Sequence, residues 1–310
     1  DGLKPTQRKV VYIANKIWKT GNEKPMKLFQ LAGRVAAEAF YHHGNTSLES
    51  SMVGMAQKFK NSLPLLEGIG QFGSLRSPSA GAPRYISAKL HPNFRLLYQD
   101  FELLDNKIEE GEKIEPEHFL PIVPTVILNG TSGIAVGFAT NILNRNPKDV
   151  VNACISVLKG KRMPVLAPWL KEFSGTFIRD TVNPKTWKIS GLYEVLNTTT
   201  VKVTEIPPGF TYERYEEHLN NLTEKRIISG YDDNSSGQVE YVLKFQRAIL
   251  KDYVSRNKLE ALLKINTQET ENLTTIDENG KLKIFNKVEE IVNHFVEVRL
   301  KWYDARKAYL

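Results

Sequence analysis

Apolar residues recur at helical spacing through the first part of the chain. Val10, Val11, Ala14 and Ile17 fall on one side of a helix opening at Pro5, a residue suited to a first turn because no donor is needed there. Lys4, Arg8, Lys9 and Lys16 leave its other side basic. A second helix is predicted from near Pro25, with Leu28, Leu31 and Val35 on one face and Lys27, Gln30 and Arg34 on the others. Thr46 and Glu49 stand at capping-box spacing, which predicts a third helix carrying Met52, Val53, Ala56 and Phe59 inward. A loop rich in Gly, Ser and Pro runs from Gly70 to Gly81, followed by a strand and a helix through Leu97. Three short helices, a loop and an extended segment is the order of a winged helix.

Further along, Asp100 to Glu117 reads as an acidic linker. The three glycines of Asn129–Gly137 then predict a tight β-loop. Asn146 and Pro147 open a helix holding Val150, Val151, Cys154 and Val157, and residues 159–168 read as a second linker. From Phe173 to Ile206 the pattern turns strand-like, with further strands at Thr198–Val203 and Val239–Phe245 flanking a helix near Tyr212–Leu222. Ile291, Phe295, Val298, Trp302, Ala305 and Tyr309 form a heptad-like stripe, open to two readings: a coiled coil or an amphipathic helix on the body. The fold class expected is α+β, with a winged-helix domain over 1–145, a small α+β domain over 146–250 and a helical segment over 251–310.

Charge narrows the partner. Residues 1–99 hold 14 Lys and Arg against 5 Asp and Glu, so the positive field of a chain with net charge +7 belongs to its first third. That distribution points to a polyanion, and nucleic acid is the natural one. No apolar run approaches the roughly 18 residues of a membrane span. The single cysteine, Cys154, allows no internal disulfide and fits a reducing cytoplasm.

The candidate chemistry sits at Arg84-Tyr85, just after the Gly/Ser/Pro loop. A phenol, with an ordinary pKa of about 10, is a poor nucleophile at neutral pH. A neighbouring guanidinium can stabilise a phenolate or the charge on an attacked phosphate. An Arg-Tyr pair can equally be plain packing. His42 and His43 suit positions against phosphate or the tyrosine; a buried structural pair is the other reading, and no nearby His or Cys completes a metal site. Gly130-x-x-Gly133 lacks the following Lys-Ser/Thr of a nucleotide loop, so ATP binding is not expected there.

Five segments occur in order: Asp1-Gly2-Leu3-Lys4-Pro5-x-Gln7-Arg8, Tyr41-His42-His43-Gly44, Gly70-Gln71-Phe72-Gly73-Ser74, Arg84-Tyr85 and Asn129-Gly130-x-x-Gly133-Ile134-Ala135-Val136-Gly137. Thr204-Glu205-Ile206-Pro207 follows. Together they resemble the breakage–reunion subunit of type IIA DNA topoisomerases, within which the medium subunit of T-even-type bacteriophages looks most similar. The resemblance implies a tower domain after the winged helix and the start of a coiled coil at the end. It implies that Tyr85 forms a 5′-phosphotyrosine link and that Arg84 stabilises the pentavalent phosphate. Arg8, His42 and His43 would hold the scissile strand, with Lys4 nearby, and Ile134 would wedge between base pairs. Bacterial members usually carry Tyr-His-Pro-His-Gly, and the shorter Tyr-His-His-Gly here favours His43 for the DNA contact. The implied enzyme is a homodimer on double-stranded DNA in the cytoplasm, a host bacterial one if phage-encoded. It would use Mg²⁺ held by a TOPRIM-type partner and ATP hydrolysed by another subunit. The abrupt ends at Asp1 and Leu310 suggest a fragment without the lower gate. Two other classes stand as alternatives: a non-catalytic winged-helix DNA-bending protein, and a tyrosine-dependent nuclease, for which the adjacent His42–His43 pair lacks the remaining metal ligands.

Overall fold

A computed structural model of the chain describes residues 1–19 and 24–310. Its elements form two units with separate cores: Asp1–Ser74, Pro78–Lys171 and Glu271–Leu310 make the first, Leu75–Ser77 and Glu172–Thr270 the second.

The first unit opens with helix α1 (Pro5–Ile17), the short strand β1 (Met26–Lys27), and helices α2 (Leu28–Glu38) and α3 (Asn45–Ala56). Val10, Val11, Ala14, Leu28, Leu31, Val35, Leu48 and Met52 pack together as the centre of its core. Strands β2 (Leu66–Ile69) and β3 (Ser87–Leu90) complete an antiparallel sheet of order β1-β3-β2, with Lys27 opposite Ser87 and Gly68 opposite Ala88. Three helices on a three-stranded sheet is the expected winged-helix arrangement. Two details differ from expectation. Helix α2 starts at Leu28 and not near Pro25, because Met26 and Lys27 are used in pairing with β3. The expected capping box is not formed: Gly44, at φ +85°, is the N-cap of α3, so Thr46 already lies inside the first turn.

Helix α4 (Asn93–Leu97) leads into β4 (Tyr98–Gln99), which pairs with β7 (Leu120–Pro121). Between them the expected acidic linker is a hairpin of β5 (Asn106–Glu109) and β6 (Glu112–Pro116). Glu110 and Gly111 both adopt positive φ, the conformation a two-residue hairpin loop requires. Its carboxylates are paired as well as solvated: Glu115 is buried and lies 3.3 Å from both Lys9 and Lys107. Helix α5 (Thr125–Leu128), the hairpin β8 (Thr131–Ala135)–β9 (Phe138–Ile142) and helix α6 (Pro147–Leu158) follow. Asn146 caps α6, its side-chain oxygen accepting from the Lys148 amide at 2.9 Å.

In the second unit the order is β10 (Thr176–Arg179), β11 (Thr186–Ser190), β12 (Leu192–Val195), β13 (Thr200–Glu205), α7 (Tyr212–Glu224), β14 (Gly230–Asp233), β15 (Tyr241–Lys244), α8 (Arg247–Ser255), α9 (Leu259–Leu263) and β16 (Asn266–Thr270). One sheet runs β10-β11-β16 and another β12-β13-β15-β14. Val201, Val203, Tyr215, Leu219, Tyr241 and Leu243 form its core. Arg76 belongs here: buried, it donates to the carbonyls of Pro207 at 2.9 Å, Phe210 at 3.0 Å and Ile206, and to the Glu205 carboxylate at 2.5 Å.

The chain then rejoins the first unit. Asn272 and Asn141 exchange both backbone bonds at 2.9 Å, and Arg145 grips Glu271 through two buried bonds of 2.8 and 2.7 Å. A small hairpin of β17 (Thr274–Ile276) and β18 (Leu282–Ile284) precedes the long helix α10 (Val288–Tyr309). Val288, Ile291, Val292 and Val296 join the first core, whereas Ala305 and Tyr309 are exposed, so the expected stripe is buried only in its first half. The unit bounds therefore differ from the expected 1–145, 146–250 and 251–310. Helix α6 contributes Val150, Ala153 and Cys154 to the first core, and residues 271–310 return to it.

Candidate active site

Tyr85 closes a turn directly before β3 whose backbone is held from two sides. Its amide donates to Ala82 at 2.8 Å, and the Gly81 amide donates to Gln71 at the same distance. The start of α2 supplies the rest, because the first amides of a helix have no partner within it. Leu28 N–H donates to the Ile86 carbonyl at 3.1 Å, Phe29 N–H to the Pro83 carbonyl at 3.4 Å, and the Lys27 ammonium to the Tyr85 carbonyl at 2.8 Å. Ile86 is buried beneath the turn. The Tyr85 side chain is 73% exposed on this fixed backbone, beside an exposed Arg84. A side chain carried on a backbone fixed in this way loses less freedom in any reaction it enters. Spacing alone assigns Lys27 only to a helix surface; its role comes from the β1–β3 pairing, which spacing does not reveal.

The Asp1–Arg8 segment divides between packing and surface. The Asp1 carboxylate accepts from Arg8 Nε at 2.8 Å and from the amides of Phe119 and Leu3 at 3.1 Å, while Arg8 Nη2 donates to the Leu3 carbonyl at 2.9 Å. Burial draws the Arg8 pKa below its ordinary value. Arg8 is thus engaged in holding the segment. Tyr98 and Thr125 hydroxyls donate to the Asp1 carbonyl at 2.9 and 2.6 Å, and burial pushes the Tyr98 phenol up, keeping it a neutral donor. Gly2, at φ +69°, passes so close to α5 that an added Cβ would stand 2.5 Å from the Val126 nitrogen. Lys4 remains exposed, and its ammonium lies beside Gly133, 3.8 Å from where a Cβ would be. Lys4 and the Ile134 hairpin are therefore brought together.

His42 and His43 are exposed between α2 and α3. His43 stands edge-on to the Tyr41 ring at 5.4 Å, and His42 Nε2 lies 3.8 Å from the Glu109 carboxylate. Glu109 is also 3.6 Å from the Lys9 ammonium, which donates to the Ala39 carbonyl at 2.5 Å. The β5–β6 hairpin thus stands behind the histidine loop. Among the described residues no hydrogen bond or ion pair joins Tyr85 or Arg84 to Lys4, Arg8, His42 or His43.

Ile134 lies near the end of the β8–β9 hairpin, opposite Ala139, with Val136-Gly137 as the loop. It is 95% exposed, Val136 is 100% exposed, and Phe138 is half exposed. A row of exposed apolar side chains on a two-stranded ribbon fits a wedge for base steps. Val136, in the loop, and Phe138, at the start of β9, carry the same signal as Ile134. At the root, Gly130 (φ +66°) leaves no room for a Cβ, which would meet the Ile142 carbonyl oxygen at 2.5 Å. The hairpin geometry is not the strand–loop–helix cradle of a nucleotide site. Among the described residues no three His, Cys, Asp or Glu side chains are grouped to hold a metal ion, so these residues do not fit Mg²⁺ on their own. No helix among them is long and apolar enough to cross a membrane.

The solved DNA-binding, cleavage and re-ligation domain of Plasmodium falciparum topoisomerase II matches all of this chain and 43% of its own, with a TM-score of 0.91 and 33% identity. The mitochondrial DNA topoisomerase 2 of Dictyostelium discoideum is 36% identical over 321 residues, covering 100% of this chain and 24% of that protein. Arabidopsis thaliana DNA topoisomerase 2 is 35% identical over 320 residues, covering 99% and 22%. The chain thus spans about a quarter or less of these two relatives, both eukaryotic; a phage medium subunit is not among these three proteins. The family model for the A-type subunits of DNA gyrase/topoisomerase IV matches residues 1–310, and the chain belongs to that family.

Proposed function

We propose that this chain is the DNA cleavage and religation core of an ATP-dependent type IIA topoisomerase. The observation that carries this reading is the exposed Tyr85 on a backbone locked by α2 and β3, next to Arg84 and within the basic winged-helix unit. The Tyr85 oxygen bonds to phosphorus as the bond from phosphorus to the 3′ oxygen breaks; the phenol gives up its proton and the departing 3′ oxygen takes one. One ester replaces another, so the step reverses without hydrolysis. Arg84 stabilises charge on the phosphate. Lys4, His42 and His43 grip the backbone near the cut, and Arg8 supports that surface by fixing the Asp1–Lys4 segment. Ile134 bends the duplex. Two copies act as a homodimer, each Tyr85 cutting one strand.

The metal and the ATPase belong to other parts of the enzyme, a TOPRIM-type element for Mg²⁺ and a separate unit for ATP. The small share of its relatives that this chain spans leaves room for both. The reading implies work on chromosomal or phage DNA in the cytoplasm.

The test is denaturant-quenched cleavage of supercoiled plasmid with Mg²⁺ and the metal-binding partner, wild type beside Tyr85→Phe. Linear DNA with protein on both 5′ ends, lost in the variant, is the expected result. Binding and bending without a covalent adduct, which the exposed hairpin alone would support, would instead identify an architectural protein.

A further inference from the structure

Asn129, in the Asn-Gly-x-x-Gly run, has no part in the chemistry above, yet its side chain makes two well-formed bonds. Its Oδ1 accepts from the Leu63 amide and its Nδ2 donates to the Leu63 carbonyl, both at 2.8 Å. On the other strand of the same hairpin root, Asn144 Nδ2 donates to the Lys60 carbonyl at 2.7 Å. Both anchors therefore land on the connector between α3 and β2. That connector is itself tightened by Asn61, whose Nδ2 donates to the carbonyls of Gly54 at 2.7 Å and Gln57 at 2.9 Å. Its first residue, Gln57, is 2% exposed and donates from Nε2 to the carbonyls of Phe72 at 2.9 Å and Pro78 at 3.0 Å. Those carbonyls lie within the Gly70–Gly81 loop that runs on to Tyr85.

We propose that residues 57–63 are a strut fixing the spacing between the Tyr85 loop and the Ile134 hairpin, with Gln57 and Asn129 as positioning residues for DNA cleavage. The inference rests on the assignment of Tyr85 as nucleophile and Ile134 as wedge. A wedge sets which base step is opened, and a nucleophile must meet one phosphate at a fixed offset from it. Small misplacements of reacting groups cost on the order of 100-fold in rate per 1 Å. A paired amide–backbone contact fixes orientation as well as distance, because both atoms of the planar group are used. Among the described residues the Gln57 oxygen has no hydrogen-bond partner, a penalty that a buried methionine of similar length would avoid. The two donated bonds are what the glutamine supplies.

The experiment compares Gln57→Met, Asn129→Ala and the double variant in the complete enzyme with Mg²⁺, using an end-labelled duplex that reports affinity, bending and covalent adduct. The expected result is duplex affinity within about threefold of wild type and a maximal adduct rate at saturating DNA reduced tenfold or more in each single variant. The DNA concentration giving half that rate should move little, a split that simple loss of folded protein does not produce. In the double variant the loss should stay within about twofold of the worse single variant, because both act through one element. Unchanged adduct formation in the single variants, or losses that multiply in the double, would overturn the strut. Thermal midpoints are recorded for all; if Asn129→Ala does not fold, Asn144→Ala loosens the same root and is held to the same outcome. Absence of adduct in wild type would remove the nucleophile assignment itself, and the strut with it, whereas wild-type adduct with unaffected variants removes the strut alone.

Discussion

The Lys27 ammonium donates to the backbone carbonyl of Tyr85 at 2.8 Å, so a side chain on the first strand of the sheet holds the residue that presents the phenol. Lys27→Met removes this bond while keeping the length of the side chain. Because the contact is exposed, stability should change by less than about 1 kcal/mol. Adduct formation should fall about tenfold as the turn loosens. Quenched cleavage assays beside a denaturation curve check both halves; equal cleavage would show that the backbone bonds from α2 suffice.

Ile134 and Val136 have almost no packing to lose. Ile134→Ala and Val136→Ala should each leave the unfolding midpoint within about 0.5 kcal/mol of wild type. Bending of an end-labelled duplex, read by energy transfer, should drop for Ile134→Ala. A smaller drop for Val136→Ala would show that the wedge is a row and not a single residue.

Arg145 is fully buried and holds Glu271 by two bonds, besides donating to the carbonyls of Leu143 and Leu166. Arg145→Met leaves a buried carboxylate without its cation, which costs about 3–5 kcal/mol. Guanidinium denaturation should show the loss as a shifted midpoint with unchanged slope. Adding Glu271→Gln should recover part of it.

Burial lowers the pKa values of His91, His118 and His218 below the ordinary histidine value. Their neutral forms are favoured in the folded chain, so the unfolded chain binds more protons once the pH falls below about 6.5. Stability should therefore be highest at and above neutrality. It should decline through pH 6.5 to 5, before most carboxylates titrate. Unfolding midpoints at pH 7.5, 6.5 and 5.5 check this, and a flat profile would contradict it.

Much of the first unit was legible because its helices bury residues at helical spacing. The spacing of Val10, Val11 and Ala14 places α1 correctly, and three closely spaced glycines place the β8–β9 hairpin. What failed did so where charge or pairing overrides local pattern. The run Asp100–Glu117 looks solvated until Lys9, distant in sequence, is found beside Glu109 and Glu115. Helix α2 starts late because two residues after Pro25 are taken by a strand. Motif order named Tyr85, Arg84, Lys4 and Ile134, which the fold leaves exposed, but gave no hint that Arg8 would turn inward to Asp1.

Arg76 shows that modules in space are not segments in sequence. A fragment of residues 172–270 would lack the guanidinium that meets Glu205 and the carbonyls of Ile206, Pro207 and Phe210, leaving the buried Glu205 carboxylate without its cation. Residues 1–171 alone would lack the Glu271 that answers Arg145. Recombination between relatives, natural or engineered, must therefore exchange three stretches of chain at once to transplant the first unit intact, and two to transplant the second.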